Sequence, residues 1–233
     1  MLLWIIRGLS STQDQIQYAS SGRESALATN KLLRNTYALL SMTLLFSALT
    51  ASIAIFTNAG FINPIISLVV MLGTLFALHR AQNSVWSLPL VFFFTGFLGY
   101  SLGPIINLYL GMANGGQIVA TALALTGITF LGLSAYAISS RRDFSFMGGF
   151  LLTGLIVVVL ASIANIFFAM PALQLAISAV GVLVFSGLIL FDTSRMIHGG
   201  ATNYVMMTVS LYLNIYNLFT MLLHLLSAFS SND

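Results

Sequence analysis

Asp192 carries the most chemistry in this chain. No Asp, Glu, Lys or Arg occurs from Phe144 to Phe191; then Asp192 and Arg195 arrive three residues apart, followed by His198 and Gly199-Gly200. A carboxyl group set in such an apolar run can hold a proton or a cation. Holding it charged at the centre of a membrane helix costs on the order of 2.5–3.5 kcal/mol, and less near the interface. Asp192 also lies near a helix C-terminus, where the helix dipole disfavours an anion and favours Arg195 and His198. It therefore needs a partner or a proton. Two partnerships compete. Arg195 is one helical turn away and can snorkel its head toward water. The other is with Asn214 and Asn217 on a polar seam: Ser210, Asn214, Asn217, Met221 and His224 recur at steps that keep one helical face, with Met207 and Asn203 extending it backwards. Placed by helical rise alone, Asn214 falls deeper than Asp192, a mismatch that a later helix start or a tilt would close.

The positions that must carry these residues follow from composition. Hydrophobic residues make up 58% of the 233 and charged ones 6%, against about 25% charged in a soluble domain; a water-facing surface cannot be built from them. Asp, Glu, Lys and Arg are absent from 35–78, 81–140, 144–191 and 196–232. At about 20 residues per crossing, the first three stretches each hold a helical hairpin and the last a single helix. Turn residues divide the hairpins at 57–64, 111–117 and 169–173, giving spans near 36–56, 62–79, 86–110, 117–139, 147–169, 172–198 and 203–229. The fold expected is an all-α polytopic membrane protein of seven transmembrane helices. All eight Lys and Arg (Arg7, Arg23, Lys31, Arg34, Arg80, Arg141, Arg142, Arg195) then fall on one side. The positive-inside rule makes that side cytoplasmic, with the N-terminus inside and the C-terminus outside, periplasmic in a bacterium.

The opening MLLWIIRGLS has too short an apolar run for a signal-peptide core and reads as an interfacial or poorly ordered start, or as the product of an upstream translation start. Residues 1–30 are expected to form a flexible cytoplasmic tail, and 31–233 the membrane domain.

The seventh helix is apolar on its other faces too, which suits a central position with the seam turned inward. The seam is either packing glue between helices or the lining of a pathway. In the third helix, Gly96, Gly99 and Gly103 share one face and Pro104 interrupts the hydrogen-bond ladder. They read as close packing or as a hinge. There is no cysteine, no HExxH, no GxGD acid pair and no GxSG elbow, and the three His lie on separate helices or their ends. Enzymatic chemistry, a cofactor and a metal centre are therefore not expected. The net charge of +3 reflects sidedness, and no nucleic-acid partner is expected. Membrane lipid is.

LILFDTSRMIHGG followed by VSLYLNIYNLF resembles the paired signatures of the Bax inhibitor-1-like (transmembrane Bax inhibitor motif) family. NKLLRNTYALLSMTLLFSALTA, FTGFLGYSLGPIINLYL, SAYAISSRRDFSFMGGFL and IANIFFAMPALQLAISA are similar to its bacterial YccA-type branch. The resemblance covers roughly residues 30–230. It implies a seven-helix bundle with the seventh helix in the middle, in the bacterial inner membrane. It further implies a regulator that binds and restrains the membrane-anchored AAA metalloprotease FtsH and its associated membrane regulators, the cytoplasmic tail being a segment such a protease would grip. Family members often pair an acid on the sixth helix with one on the seventh, as a pH-sensitive site linked to calcium leak. Asp192 matches the first acid and Asn214 stands at the second. An amide supplies no second negative charge, and calcium prefers six to eight oxygen ligands, several of them charged. The alternative of a pH-gated calcium, cation or proton leak thus rests on Asp192 alone, with Asn214, Asn217, Ser210, Arg195 and His198 as accessory candidates.

Overall fold

The computed structural model describes residues 2–230, with side chains from Leu27 onward. Seven helices follow in order: α1 (Leu2–Phe56), α2 (Pro64–Ala81), α3 (Ser87–Leu110), α4 (Gly115–Ser140), α5 (Gly148–Phe168), α6 (Pro171–Ile197) and α7 (Tyr204–Ser230). A 3-10 turn, Ser145–Met147, leads into α5. All seven are long and apolar enough to cross a membrane, α1 through its Leu27–Phe56 part. The spans expected from the charge-free stretches agree with these limits to within a few residues everywhere except the start of α1. The expected tail falls mostly outside the residues with described side chains. Its last part, Leu27–Asn30, is already helical, because nothing between Ser10 and Tyr37 breaks a helix: the segment has polar residues but no Pro, and its one Gly is tolerated.

Local chemistry sets the ends. Asn63 caps α2 by accepting from the Ile65 amide at 2.9 Å, and Pro64 and Pro171 open α2 and α6, where a missing N–H removes nothing. α6 stops at His198, and Gly199 follows with φ +75°, the left-handed backbone that glycine adopts without strain.

The turns segregate by charge. Those after α1, α3 and α5 carry no charged residue; those after α2, α4 and α6 border Arg80, Arg141 to Asp143, and Arg195. Hydrogen bonds show that the latter share one end of the bundle. Asn203 donates to the Gln82 carbonyl and to Asn83 Oδ1, each at 3.0 Å. His198 Nε2 lies 3.0 Å from the Arg141 carbonyl, and Thr208 Oγ donates to the Thr36 carbonyl at 3.3 Å.

α7 packs against α1, α3, α4 and α6, whereas α2 leans on α3 and α5 on α6. Leu211, Tyr212, Leu218 and Leu223 of α7 are fully buried. This is the central position expected of a helix apolar all round. The three glycines of α3 face α1. A Cβ at Gly96 would meet the Phe46 ring, at Gly99 the Ser47 carbonyl, and at Gly103 the Ala54 methyl. Their small size sets the closeness of the α1–α3 contact. α3 runs through the buried Pro104 as one uninterrupted helix.

Candidate functional site

α6 ends and α7 begins at the charged end of the bundle, so the two helices run antiparallel around a tight turn. Asp192 lies about 7 Å inside the end of α6, Ser210 about 9 Å into α7 and Asn214 about 15 Å. The depth mismatch disappears through side-chain direction. Side chains on a helix lean toward its N-terminus, so Asp192 leans deeper into the membrane while Ser210 and Asn214 lean back toward it.

Asp192 is only 3% exposed. Its Oδ2 accepts from Ser210 Oγ at 2.5 Å and from Asn214 Nδ2 at 2.9 Å. Its Oδ1 faces Arg195 Nη1 at 3.9 Å, and the Arg195 side chain is 40% exposed. Of the partners read from the sequence, Arg195 and Asn214 are therefore present, on different oxygens, and Ser210 joins Asn214. The α7 bonds are short and buried. The arginine contact is long and half in solvent, and Arg195 also donates to the Gly200 carbonyl at 3.0 Å and lies over the Phe191 ring. An exposed pair of that kind contributes about 0–1 kcal/mol; the two α7 donors satisfy the carboxylate, which would otherwise be a costly buried charge. Chemically this is a single carboxyl group with two fixed neutral donors on one oxygen. Among the described residues no group of three or more His, Cys, Asp or Glu could hold a metal ion.

The rest of the seam divides. Asn217 does not join Asp192: its Nδ2 donates to the Leu213 carbonyl of its own helix at 2.8 Å, the local bond open to a polar side chain in an apolar helix. Met221 packs where Gly181 of α6 leaves room. His224, at the far end, has Nδ1 2.5 Å from the Tyr109 hydroxyl of α3. The stripe is thus two polar contacts at opposite ends of α7, with Asn217 and Met221 between them.

His198 also lies apart from the carboxylate in its bonding. Nδ1 is 3.0 Å from the Ser194 carbonyl, and Nε2 reaches Arg141 in the α4–α5 connection. Ser194 Oγ accepts from the Phe144 amide at 3.0 Å and donates to the Arg142 carbonyl at 3.3 Å. In the same loop Asp143 Oδ1 accepts from the Ser145 amide at 2.9 Å. Hydrogen bonds from Ser145 hold the Asp143 carboxyl below the usual carboxylate range, with a smaller contribution from His198.

Several groups that hold the site had no signal in the sequence. Tyr212 is 1% exposed; its hydroxyl is 2.6 Å from Ser47 Oγ of α1 and donates to the Thr95 carbonyl of α3 at 3.1 Å, locking α7 on the side away from Asp192. A cavity of about 470 Å³ lies on that side too, lined by α1, α3, α4 and α7 residues including Ala51, Leu102, Thr126 and Tyr216. Ser194 did leave one trace: it stands four residues before His198, the spacing at which helical side chains meet.

Comparison with known proteins accords with this architecture. Residues 29–231 match the family described as Inhibitor of apoptosis-promoting Bax1. A membrane protein of Vibrio cholerae is 51% identical over 92% of this chain and 96% of its own. The Escherichia coli K12 protein named Modulator of FtsH protease YccA is 49% identical over 94% of this chain and all of its own. A Pseudomonas aeruginosa protein is 42% identical over 95% of this chain and all of its own. With that match along nearly its whole length, a central α7 and seven membrane-competent helices, this chain belongs to the Bax inhibitor family and is a multi-pass membrane protein.

Proposed function

We propose that the chain is an inner-membrane modulator of an FtsH-type AAA protease, acting by protein contact and not by catalysis. The observation that carries this reading is the relative named as a modulator of that protease, 49% identical and matched over its entire length. That identity along the whole length, together with a sequence that carries none of the catalytic motifs named above, favours restraint of a protease over cleavage by the chain itself. Its orientation follows from the charges: with Arg80, Arg141, Arg142 and Arg195 at one end of the bundle, that end faces the cytoplasm and the C-terminus faces the periplasm. The start of α1 then enters the compartment where an AAA protease engages its substrates.

The test is affinity capture from native membranes together with the turnover of a reporter substrate of the protease. Capture of the protease, with slower reporter turnover when this chain is overproduced, supports the reading. Neither effect would reject it. Removal of residues 2–29 is expected to abolish the chain's own turnover while leaving the membrane bundle intact.

The buried Asp192 supports a second reading, a pH-gated leak of calcium, other cations or protons. Purified protein in liposomes with a calcium or pH dye separates the two. A flux lost in Asp192→Asn favours the leak; a silent vesicle favours the modulator. Asn214→Asp restores the second acid that the family often carries, so calcium flux confined to that variant would assign the missing charge as the reason for silence.

A further inference from the structure

α1 packs against α3 and α7, and α4 against α6 and α7, but α1 and α4 do not form a packed pair of their own. The cavity of about 470 Å³ occupies the space between them, with α3 and α7 behind it. That size falls within the range of about 300–1,000 Å³ usual for sites that hold a ligand. The cavity runs from Leu44 to Ile55 along α1 and from Val119 to Phe130 along α4, in each case about 16 Å of helical rise. Half of a hydrocarbon core about 30 Å thick is about 15 Å, so the cavity is as deep as one leaflet. Its outer end lies by the uncharged turns, where α1 and α3 finish at Phe56 and Leu110. Toward the charged end, Tyr37 of α1 meets the Phe130 ring of α4, centroids 6.0 Å apart. The rim is exposed at Ala48 and Ser52 of α1 and at Leu123 of α4, whereas Ile215 and Phe219 of α7 are buried. The mouth therefore opens sideways, between α1 and α4, into the membrane.

The lining decides what can enter. It holds no charged residue, and most of its hydroxyls are satisfied within the protein. Those of Ser47 and Tyr212 bond each other at 2.6 Å, and Ser52 and Thr126 donate to the Ala48 and Ala122 carbonyls one turn back. Tyr216 alone brings a hydroxyl with no hydrogen-bond partner among the described residues. A buried water needs two to four polar partners, so this space offers water little and a charge nothing. Left unfilled, its walls would forfeit dispersion contacts along their whole length. An apolar chain one leaflet long meets both requirements, and every lipid beside the mouth carries one.

We propose that this cavity is a binding site for one acyl chain of a membrane lipid, drawn from the leaflet on the side of the uncharged turns and reaching α7 between α1 and α4. The headgroup stays at the level of the α3–α4 turn and the chain end points at Phe130. The inference goes beyond the protease reading and stands whether the chain is a modulator or a leak. Gly127 lies in the wall with open space where a Cβ would stand, so a side chain added there obstructs the site without displacing the protein around it.

The full-length protein is placed in phosphatidylethanolamine and phosphatidylglycerol nanodiscs doped with a phosphatidylethanolamine that carries a photoactivatable diazirine on one acyl chain. Irradiation and peptide mapping then locate the chain. With the diazirine near the chain end, labels are expected on Thr126, Phe130 and Ile215; with it near the ester, on Ile55 and Leu110. Gly127→Leu should lower labelling of α7 roughly 5-fold or more, the effect of overfilling a packed site. Gly132→Leu, at an exposed and open position of the same helix outside the cavity, should leave it unchanged. Ala48→Leu obstructs the mouth from the α1 side and takes the place of Gly127→Leu if that variant folds poorly. An α7 left unlabelled in the wild type overturns the proposal, as it would be if a second copy of the chain filled the space. So does labelling that the obstructing variants do not lower, or that Gly132→Leu lowers equally, or a reversed order of chain-end and ester-proximal labels.

Discussion

The two ends of α7 solve one problem differently. Near its start, Ser210 and Asn214 hold a formal charge that belongs to the neighbouring helix α6. Near its end, His224 meets the neutral Tyr109 of α3. Both arrangements place a polar side chain of the central helix against a polar partner across an apolar interface. The first has a carboxylate whose buried donors are these two side chains, whereas the second joins the buried Tyr109 to a partly exposed His224, with Ser227 as a further polar neighbour. A membrane interior discriminates strongly between charge and dipole, so the contact near the charged end of the bundle should be the brittle one and the distal contact forgiving.

Removing both donors tests the brittle end most severely. Ser210→Ala with Asn214→Leu leaves Asp192 facing only a distant, half-exposed Arg195, and is expected to cost about 3–5 kcal/mol near neutral pH. Unfolding in mild detergent, monitored by circular dichroism, measures it. Adding Asp192→Asn to that background should recover more than half of the loss, because the unpaired charge disappears; a triple variant no more stable than the double would show that charge is not the issue. At the forgiving end, Tyr109→Phe deletes one hydroxyl contact and should cost about 1 kcal/mol, near the typical value for membrane helix pairs. A loss equal to that of the first variant would erase the distinction between the two ends. Asn217→Ala should be smallest, within about 0.5 kcal/mol, since that side chain serves only its own helix. A large effect there would mean that the polar stripe acts as one unit.

Helix positions were legible because charge-free length and turn residues report on membrane thickness, a property of the solvent and not of any particular contact. The pairing of Asp192 with Asn214 was legible for a related reason: a buried acid demands donors, and the next helix in the chain presents them on one face; Ser210, on the same face, was legible only as a member of the seam and not as a partner. Helical rise alone gave the wrong depth comparison, because it counts Cα positions while opposed side-chain leans bring antiparallel neighbours to a common height. Asn217 belonged to the same periodic stripe yet found its partner one turn back, a local bond that spacing cannot distinguish from an inward-facing one. The contacts from Tyr212 to Ser47 and Thr95 join α7 to α1 and α3, elements more than a hundred residues away in the chain. They depend on how far each helix is rotated, and an aromatic residue in an apolar run carries no sign of it.

The glycine face of α3 has a mechanical consequence. Where Gly99 and Gly103 let the backbones of α1 and α3 lie in direct contact, the two rods have little compliance between them and must translate together. A motor drawing on the beginning of α1 would thus load a coupled pair wedged against the central strut, and extraction would have to dislodge both at once.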